Sequence, residues 1–428
     1  MEPALAMILA GGREKRMDIL CQHRAKPALP FAGGTRVIDF TLSNCIHSQI
    51  RDIAVLTDYY RADMASYLNQ WSMGNSNSGN IQLLEPRKGA YVGTADAVYQ
   101  NIEYLEKNSA SLVLVLAGDH IYKMNYQAML AFHQQVETEA TVAVIPVPIE
   151  QAHHFGIVTV DGDVRVTGFV EKPKVPQSNL VSMGIYIFKK QMLIQRLIEN
   201  AALPHSPHDF GHAIMPSMVG RDKVAAYKFN GYWQDIGTIE AYYQANMELV
   251  ATNHAFSLNG GWSVFTAPNH LPPARILQQG SVENSLVSPG CVIKGRVKDS
   301  ILMPGVRVEE EAVIMDSIVM SNTFIGYHSV VDHCILDEGV NVGKFCYLGF
   351  GSAAISGNGV TVLGKEATVP SHTAICRNCK ILPHVGPGDF INRVIQTNSV
   401  LSPRHTSETL RIEEKGVSGN VRQGVLTT

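Results

Sequence analysis

ALAMILAGGREKR, residues 4–16, decides how the amino-terminal half is read. Met7 to Ala10 are apolar on every side chain, as a strand covered on both faces must be, and Gly11-Gly12 form a tight turn at its carboxyl end. Open α/β sheets bind their ligands at that end. Glycine lets the backbone approach phosphate oxygens and aim its N–H groups at them. Arg13, Lys15 and Arg16 follow at once, then Arg24 and Lys26 in HRAKPALPF, so five cations fall within 14 residues of chain beside the turn. That density suits a triphosphate; the plainer alternative is a solvated charged surface.

Working outward, four more short runs are apolar, several of them on successive side chains: IRDIAVLTD from residue 50, SLVLVLAGD from 111, ATVAVIPV from 140 and LVSMGIYIF from 180. With amphipathic stretches between them they predict an α/β sheet over residues 1–250. From about Gly280 helical periodicity stops and a short motif returns. Ser285-Leu286-Val287, Ser300-Ile301-Leu302, Ser317-Ile318-Val319 and Cys334-Ile335-Leu336 recur at intervals of 15, 17 and 17 residues. Each unit has room for three short strands and three turns, which predicts coils of a parallel β-helix over 280–400. A plain antiparallel sandwich is the competing reading. Residues 251–279, rich in Asn, Gly and Pro, read as a linker, and 401–428 as a polar tail that is mobile or docks on another subunit.

Composition narrows the function classes. The chain has 428 residues, 45% hydrophobic and 17% charged, with net charge -3, so it is long enough for two cores and lacks the basic field a nucleic acid needs. No apolar run is long enough to span a membrane, and the apolar start runs into a Gly turn instead of a cleavage site. Seven scattered cysteines suit a reducing, cytoplasmic setting. Cys376 and Cys379 form a lone CxxC with no further ligands near, and are expected to be unligated thiols.

Three further elements carry chemistry. Gly118-Asp119 ends an apolar strand, which puts a carboxylate on the cleft where it can bind Mg²⁺, an ion that prefers oxygen. GYWQDIGTIEAY places Asp235 between aromatic residues and a Gly turn that opens a helix. Either Asp alone could be a turn or helix cap; together they suggest a shared metal. GFVEKPKVP holds Glu171 and Lys172 ahead of Pro173, a point charge for a phosphomonoester beside an acceptor for sugar hydroxyls.

These segments resemble the ADP-glucose pyrophosphorylases, or glucose-1-phosphate adenylyltransferases. The similarity runs in order through LAGGREKRM, RAKPALPF, RVIDFTLSNCIHSQI, YVGTADAVYQN, LAGDHIYKMNY, HHFGIVTV, GFVEKP, SMGIYIF and YWQDIGTIEAYYQANMEL. It implies a Rossmann-like nucleotidyltransferase domain followed by a left-handed parallel β-helix, ATP and glucose 1-phosphate as substrates, Mg²⁺, and an allosterically regulated homotetramer that supplies glycogen synthesis. By the same resemblance Tyr91, Gly156, Glu171, Lys172 and Ser182 bind glucose 1-phosphate, with Lys172 on the phosphate. Asp119 and Asp235 hold the metal, Arg16 and Lys26 neutralise pyrophosphate, and Gly11, Gly12, Arg13, Gly93 and Thr94 border the nucleotide.

The chain departs from the family pattern at four places. Glu14 replaces the third loop glycine, Arg87 stands nearest the glutamine that reads adenine, Ala90 and Val92 flank Tyr91 where the family has Trp and a basic residue, and His23 replaces a lysine tied to activator phosphate. Arg24 and Arg36 remain as candidates, with His23, for an anionic effector. The departures leave two alternatives, a catalytically silent regulatory subunit and a related enzyme using another nucleoside triphosphate. An added acyltransferase activity on the β-helix would need a catalytic His, for which His328 and His333 are the candidates.

Overall fold

The computed structural model describes residues 3–11, 15–75, 78–162, 164–251, 258, 262–277, 279–351 and 359–404, except for the side chains of Lys15, Arg16 and Asp18. Gly12, Arg13, Glu14 and the tail beyond Arg404 lie outside this set. The chain divides into two compact units, Met1–His270 and Leu271–Thr428.

The first unit is built on a nine-stranded mixed sheet. In spatial order its strands are Asn80–Leu84, Asp52–Leu56, Ala4–Leu9, Leu112–Ala117, Leu180–Lys189, Ala140–Pro146, Val224–Lys228, Arg165–Glu171 and Gly156–Asp161. The first four are mutually parallel. Their continuous apolar runs follow from cover on both faces: Leu5, Met7, Val113 and Val115 enter one core, while Ala6, Ile8, Leu112, Leu114 and Leu116 enter the other. Helices Ile38–His47, Arg61–Gly74 and Tyr126–Gln135 close the second core; Thr94–Tyr99 and Lys190–Ala201 close the first. Each fully buried Leu or Ile contributes roughly 1.5–3 kcal/mol relative to exposure.

The strand Leu180–Lys189 runs antiparallel to Leu112–Ala117 and Ala140–Pro146, a direction that apolar content does not encode. Its pairing is interrupted between Ser182 and Tyr186, where Gly184 takes φ +66°. That left-handed backbone is costly for any residue with a Cβ. A two-stranded ribbon sits at the carboxyl ends of the central strands and pairs Asp235 with His120, Gln234 with Ile121 and Trp233 with Tyr122.

Part of the segment expected to be a linker is instead a strap on the first unit. Phe265 donates its N–H to Ser43 Oγ at 2.8 Å and accepts from the Trp71 indole at 3.3 Å, and Trp262 donates to Asn44 Oδ1 at 3.0 Å. Trp262 and Phe265 both pack on the His47 ring. The β-helix also begins earlier than the repeat suggests, with Arg275–Ile276, which pairs with Val292–Ile293 in a sheet that the serine motif does not mark.

The second unit is the expected left-handed parallel β-helix: three parallel sheets of six, seven and seven strands among the described residues. Leu286-Val287, Ile301-Leu302, Ile318-Val319 and Ile335-Leu336 stack in register, one per coil, so the parallel pairing replaces the sandwich alternative. The serine that leads each pair has its own reason. Ser300 and Ser317 N–H groups donate to the hydroxyls of Ser285 and Ser300 on the preceding coil at 3.0 and 3.1 Å, and Cys334 N–H donates to Ser317 Oγ at 3.1 Å. Each hydroxyl in turn donates to the carbonyl two residues before it. Buried polar groups are thereby satisfied on both sides. His328 and His333 are corner residues with φ 55° and 54°. Cys376 and Cys379 are free thiols in this core.

Asp39, on the Ile38–His47 helix, is fully buried and takes 2.7 Å bonds to both oxygens from the Tyr67 hydroxyl, with Arg36 N–H at 2.8 Å and the Arg36 guanidinium lying over the Tyr67 ring at 4.0 Å. Burial outweighs these bonds and pushes its carboxyl up to about 7. Between about pH 4 and 7 the folded protein thus holds a proton that the unfolded chain releases, so this group makes stability fall as pH rises through that window and level off above about 7. Asp39→Asn should flatten that slope by a few kcal/mol, at most roughly 4. Urea unfolding at pH 4.5 to 7.5 followed by tryptophan fluorescence checks this, since Trp71, Trp233 and Trp262 all belong to the first unit.

Candidate active site

The centre of the site is one buried ammonium. Lys26 lies on the short turn Lys26–Ala28 and is only 4% exposed, yet its Nζ is 3.0 Å from Asp119 Oδ2 and 3.0 Å from Asp235 Oδ1. Asp119 follows the Leu112–Ala117 strand, and Asp235 ends the ribbon strand that pairs with His120, so strand register brings the carboxylates together. Burial works against the Lys26 charge, but the two carboxylates outweigh it and hold its pKa above the usual lysine range. Burial likewise opposes ionisation of Asp119, and the Lys26 charge overrides it, keeping that carboxyl well below its usual range. Asp119, Asp235 and His120 offer atoms within 4.8 Å of one another. The two carboxylates supply hard oxygen donors and could hold a divalent cation.

This centre opens into a cleft of about 260 Å³ whose walls include Gly11, Thr94, Glu171, Lys172, Ser182 and Asp209. Glu171 ends the Arg165–Glu171 strand, wedged between two glycines: a Cβ on Gly211 or Gly156 would come within 2.4 or 2.7 Å of its Oε2. Burial lifts its carboxyl above the usual range, the Asp209 charge adds to that, and Lys172 opposes it. Lys172 Nζ is 3.4 Å from Glu171 Oε1 and remains half exposed. Its backbone is left-handed at φ 45°, held by an N–H bond to Phe155 O at 3.0 Å, and it precedes Pro173. For a non-glycine residue that conformation costs on the order of 1–2 kcal/mol, and such strain clusters at functional sites.

Asp209 lies beside Glu171, both within 3.3 Å of where a Cβ on Gly211 would stand. Its Oδ2 accepts from the Thr94 hydroxyl at 2.7 Å and its Oδ1 from Gly211 and His212 N–H groups at 2.9 and 3.0 Å. Burial opposes its charge, but these donors prevail and lower its pKa. Ser182 Oγ lies 3.2 Å from the Tyr186 hydroxyl, and Tyr186 stacks on Phe210 at 5.7 Å. Trp233 packs edge-on against Phe155 at 5.3 Å. The cleft therefore pairs ionised acceptors and aromatic walls, suited to a polyhydroxylated ring, with one ammonium suited to its phosphate.

Comparison with known proteins matches this architecture in both halves. Residues 5–252 match the Nucleotidyl transferase family, and residues 272–362 match the family described as GlmU-like, C-terminal hexapeptide. A glucose-1-phosphate adenylyltransferase of Acetivibrio thermocellus is 41% identical over 421 residues, covering 94% of this chain and 98% of the relative. That of Thermomicrobium roseum is 40% identical over 423 residues, with the same coverage, and that of Bacillus mycoides is 41% identical over 345 residues, 78% of this chain and 92% of the relative. The chain belongs to the glucose-1-phosphate adenylyltransferase family.

Of the positions carried over from the family, Gly11, Thr94, Asp119, Gly156, Glu171, Lys172, Ser182 and Asp235 line the cleft. Lys26 joins them through the two carboxylates. Tyr91 is not among the lining residues: its hydroxyl donates to Leu84 O and accepts from Asn101 Nδ2. Gly93 precedes the Thr94–Tyr99 helix, where a Cβ would come within 2.3 Å of His208 O. Arg87 pairs with Glu103 at the surface, and Gln100 accepts from the Arg87 and Lys88 N–H groups. Arg24 is buried with Nη1 on Leu20 O, His23 is exposed, and Arg36 lies on Tyr67. The side chain of Arg16 lies outside the described residues, as do Gly12 and Arg13.

Reading the sequence missed Asp209, Phe210, Gly211, Tyr186, His154 and Phe155, all on the cleft. The Asp-Phe-Gly run at 209–211 was the available signal, since Asp before Gly marks a cap. Its contact with Thr94 lies 115 residues away along the chain.

Replacing Lys26 by Met would leave two carboxylates facing each other without a counter-charge. Lys26→Met should cost about 3–5 kcal/mol of unfolding free energy. Asp235→Asn in the same chain should recover part of it by removing the repulsion. Urea unfolding of the single and double variants is the check; a Lys26→Met protein as stable as the parent would contradict it.

Proposed function

We propose that this chain catalyses adenylyl transfer from ATP to α-D-glucose 1-phosphate, forming ADP-glucose and pyrophosphate for synthesis of glycogen or a related α-glucan. One observation carries the proposal: a carboxylate pair bridged by a buried lysine shares a cleft with Glu171, Asp209 and the strained Lys172. The named relatives, similar over nearly the whole chain, support it.

In this reading Lys172 takes the sugar phosphate, while Glu171 and Asp209 accept hydrogen bonds from ring hydroxyls. Ser182 and Gly156 complete that wall. The phosphate oxygen, ionised at neutral pH, attacks the α-phosphorus in line; the bond from the α-phosphorus to the bridging oxygen breaks, and pyrophosphate leaves with that electron pair. No general base is needed, so positioning and charge neutralisation do the catalysis. Asp119 and Asp235 would hold Mg²⁺, which when bound supplies positive charge to the triphosphate oxygens. Lys26 and Arg16 neutralise the departing pyrophosphate, and Gly11, Gly12, Arg13 and the Gly93-Thr94 turn border the nucleotide. The acceptor-rich cleft and intact carboxylate pair favour an active enzyme over a silent subunit.

We extend the proposal to a homotetramer in the cytoplasm, with the first unit catalytic and the β-helix domain running from Arg275, regulated by an anionic metabolite near His23, Arg24 and Arg36. Seven free cysteines fit a reducing compartment. No helix among the described residues is long and apolar enough to cross a membrane.

Purified enzyme with Mg²⁺ should release pyrophosphate fastest with ATP and glucose 1-phosphate among four nucleoside triphosphates and several sugar phosphates. No release with any pair would sink the proposal. Lys172→Ala should raise KM for glucose 1-phosphate at least roughly tenfold while leaving KM for ATP near its starting value. Gly211→Ala, which crowds Glu171, should do the same to the sugar side.

A further inference from the structure

By proximity alone His120 would be a third metal ligand, since its Nε2 lies 3.6 Å from Asp119 Oδ1 and 3.9 Å from Asp235 Oδ1. The other ring nitrogen argues against it. The Trp233 indole N–H points at His120 Nδ1 from 3.3 Å. An indole can only donate, so Nδ1 must present its lone pair, and the hydrogen of the neutral imidazole sits on Nε2. A nitrogen that carries its hydrogen toward the carboxylates has no lone pair for a cation there. The pair Asp119 and Asp235 therefore presents oxygen alone, which suits Mg²⁺ or Mn²⁺ over softer ions. At 3.6 and 3.9 Å the N–H is too far for a full hydrogen bond, but its dipole has the sign that restrains both carboxylates.

The ring is held from the other side by the sugar cleft. His120 and Trp233 pack edge to face at 5.3 Å, and Trp233 meets Phe155 at 5.3 Å on its other flank. Phe155 is also the residue whose carbonyl fixes the strained Lys172 backbone. Ribbon register sets Trp233 two residues before Asp235, which is paired with His120, so the indole and the carboxylate belong to one rigid strand. Packed rings thus run from Phe155, through Trp233, to His120 beside the carboxylate pair, and a backbone hydrogen bond ties Lys172 to Phe155.

We propose that His120 is a positioning residue rather than a metal ligand, and that the Trp233–His120 bond couples occupancy of the sugar pocket to the affinity of the carboxylate pair for its cation. This rests on the reading of the cleft as an adenylyltransferase site. By linkage, a sugar phosphate that seats Trp233 tightens the metal by the same factor by which the metal tightens the sugar phosphate.

The test uses the full-length enzyme with Mn²⁺, whose binding is counted from the spin-resonance signal of the free ion, with and without saturating glucose 1-phosphate. The ratio of the two half-saturation values is the coupling factor. In the unaltered enzyme it should be on the order of 5-fold or more, and the spin echo of bound Mn²⁺ should show no directly coordinated nitrogen. Trp233→Phe, which keeps an aromatic wall without the N–H, and His120→Asn, which keeps an acceptor without reach to the carboxylates, should bring the factor close to one. His120→Gln, whose amide reaches the carboxylates, should retain part of it. A merely structural loss would weaken both bindings without moving their ratio.

Directly coordinated nitrogen that disappears in His120→Asn would overturn the proposal, as would a factor near one in the unaltered enzyme or an unchanged factor in both Trp233→Phe and His120→Asn. The unaltered enzyme needs no variant to fold, so its spin echo and coupling factor suffice to decide. Pyrophosphate release by the same preparation reports separately on the adenylyltransferase reading.

Discussion

A buried ammonium needs compensating charge, and that requirement organises the first unit. Lys26 reaches across 209 residues of sequence to Asp235 and meets Asp119 at the end of a central strand. Taking a lysine from water costs several kcal/mol unless anions surround it. Three segments that are remote in the chain are therefore committed to one geometry: the cationic loop, the strand end at Ala117 and the ribbon that carries Trp233. The cleft geometry follows from where these segments are pinned, and the sugar-facing residues are arranged around them.

Both ends of the cleft set two carboxylates beside one lysine, but by different means. At the Lys26 end, excess negative charge is balanced by a cation from the protein and has oxygen donors for another. At the far end, Glu171 and Asp209 are both carboxylates but are tuned apart, one raised by burial and the other lowered by the Thr94, Gly211 and His212 donors. A sugar ring offers donors as well as acceptors, so two carboxylates of different character can read different hydroxyls. The nearby Lys172 charge is fixed by a strained backbone instead of by burial, and stays accessible for that reason.

How much of this was legible in the sequence depends on the range of the interaction that sets each feature. The parallel strands were legible because cover on both faces leaves a continuous apolar run, and Gly118-Asp119 because a polar residue that ends such a run must face the cleft. The direction of Leu180–Lys189 was not, since apolar content is the same for a strand running either way. Asp209 escaped because its meaning lies in Thr94, and Trp233 because only strand register places it beside His120. The strap at 262–268 looked like a linker because its role is carried by the Phe265 backbone meeting Ser43 and Trp71 and by one indole meeting Asn44, which leave no periodic pattern. Tyr91 was legible as a motif residue, but its hydroxyl is spent on Leu84 and Asn101.

The serine ladder of the β-helix acts as a ruler. One hydroxyl per coil marks where the next coil must begin its aliphatic pair, so the offset from Ser to that pair is constant while the coil length varies between 15 and 17 residues. Fixing registration at one corner frees the other corners to take up insertions. The two extra residues of the longer second coil fall between Val308 and Val313, where the first coil has only Lys294 and Gly295, while the serine corner keeps its spacing. A domain built this way can lengthen its turns over evolutionary time, and so acquire new surface, without renegotiating its core.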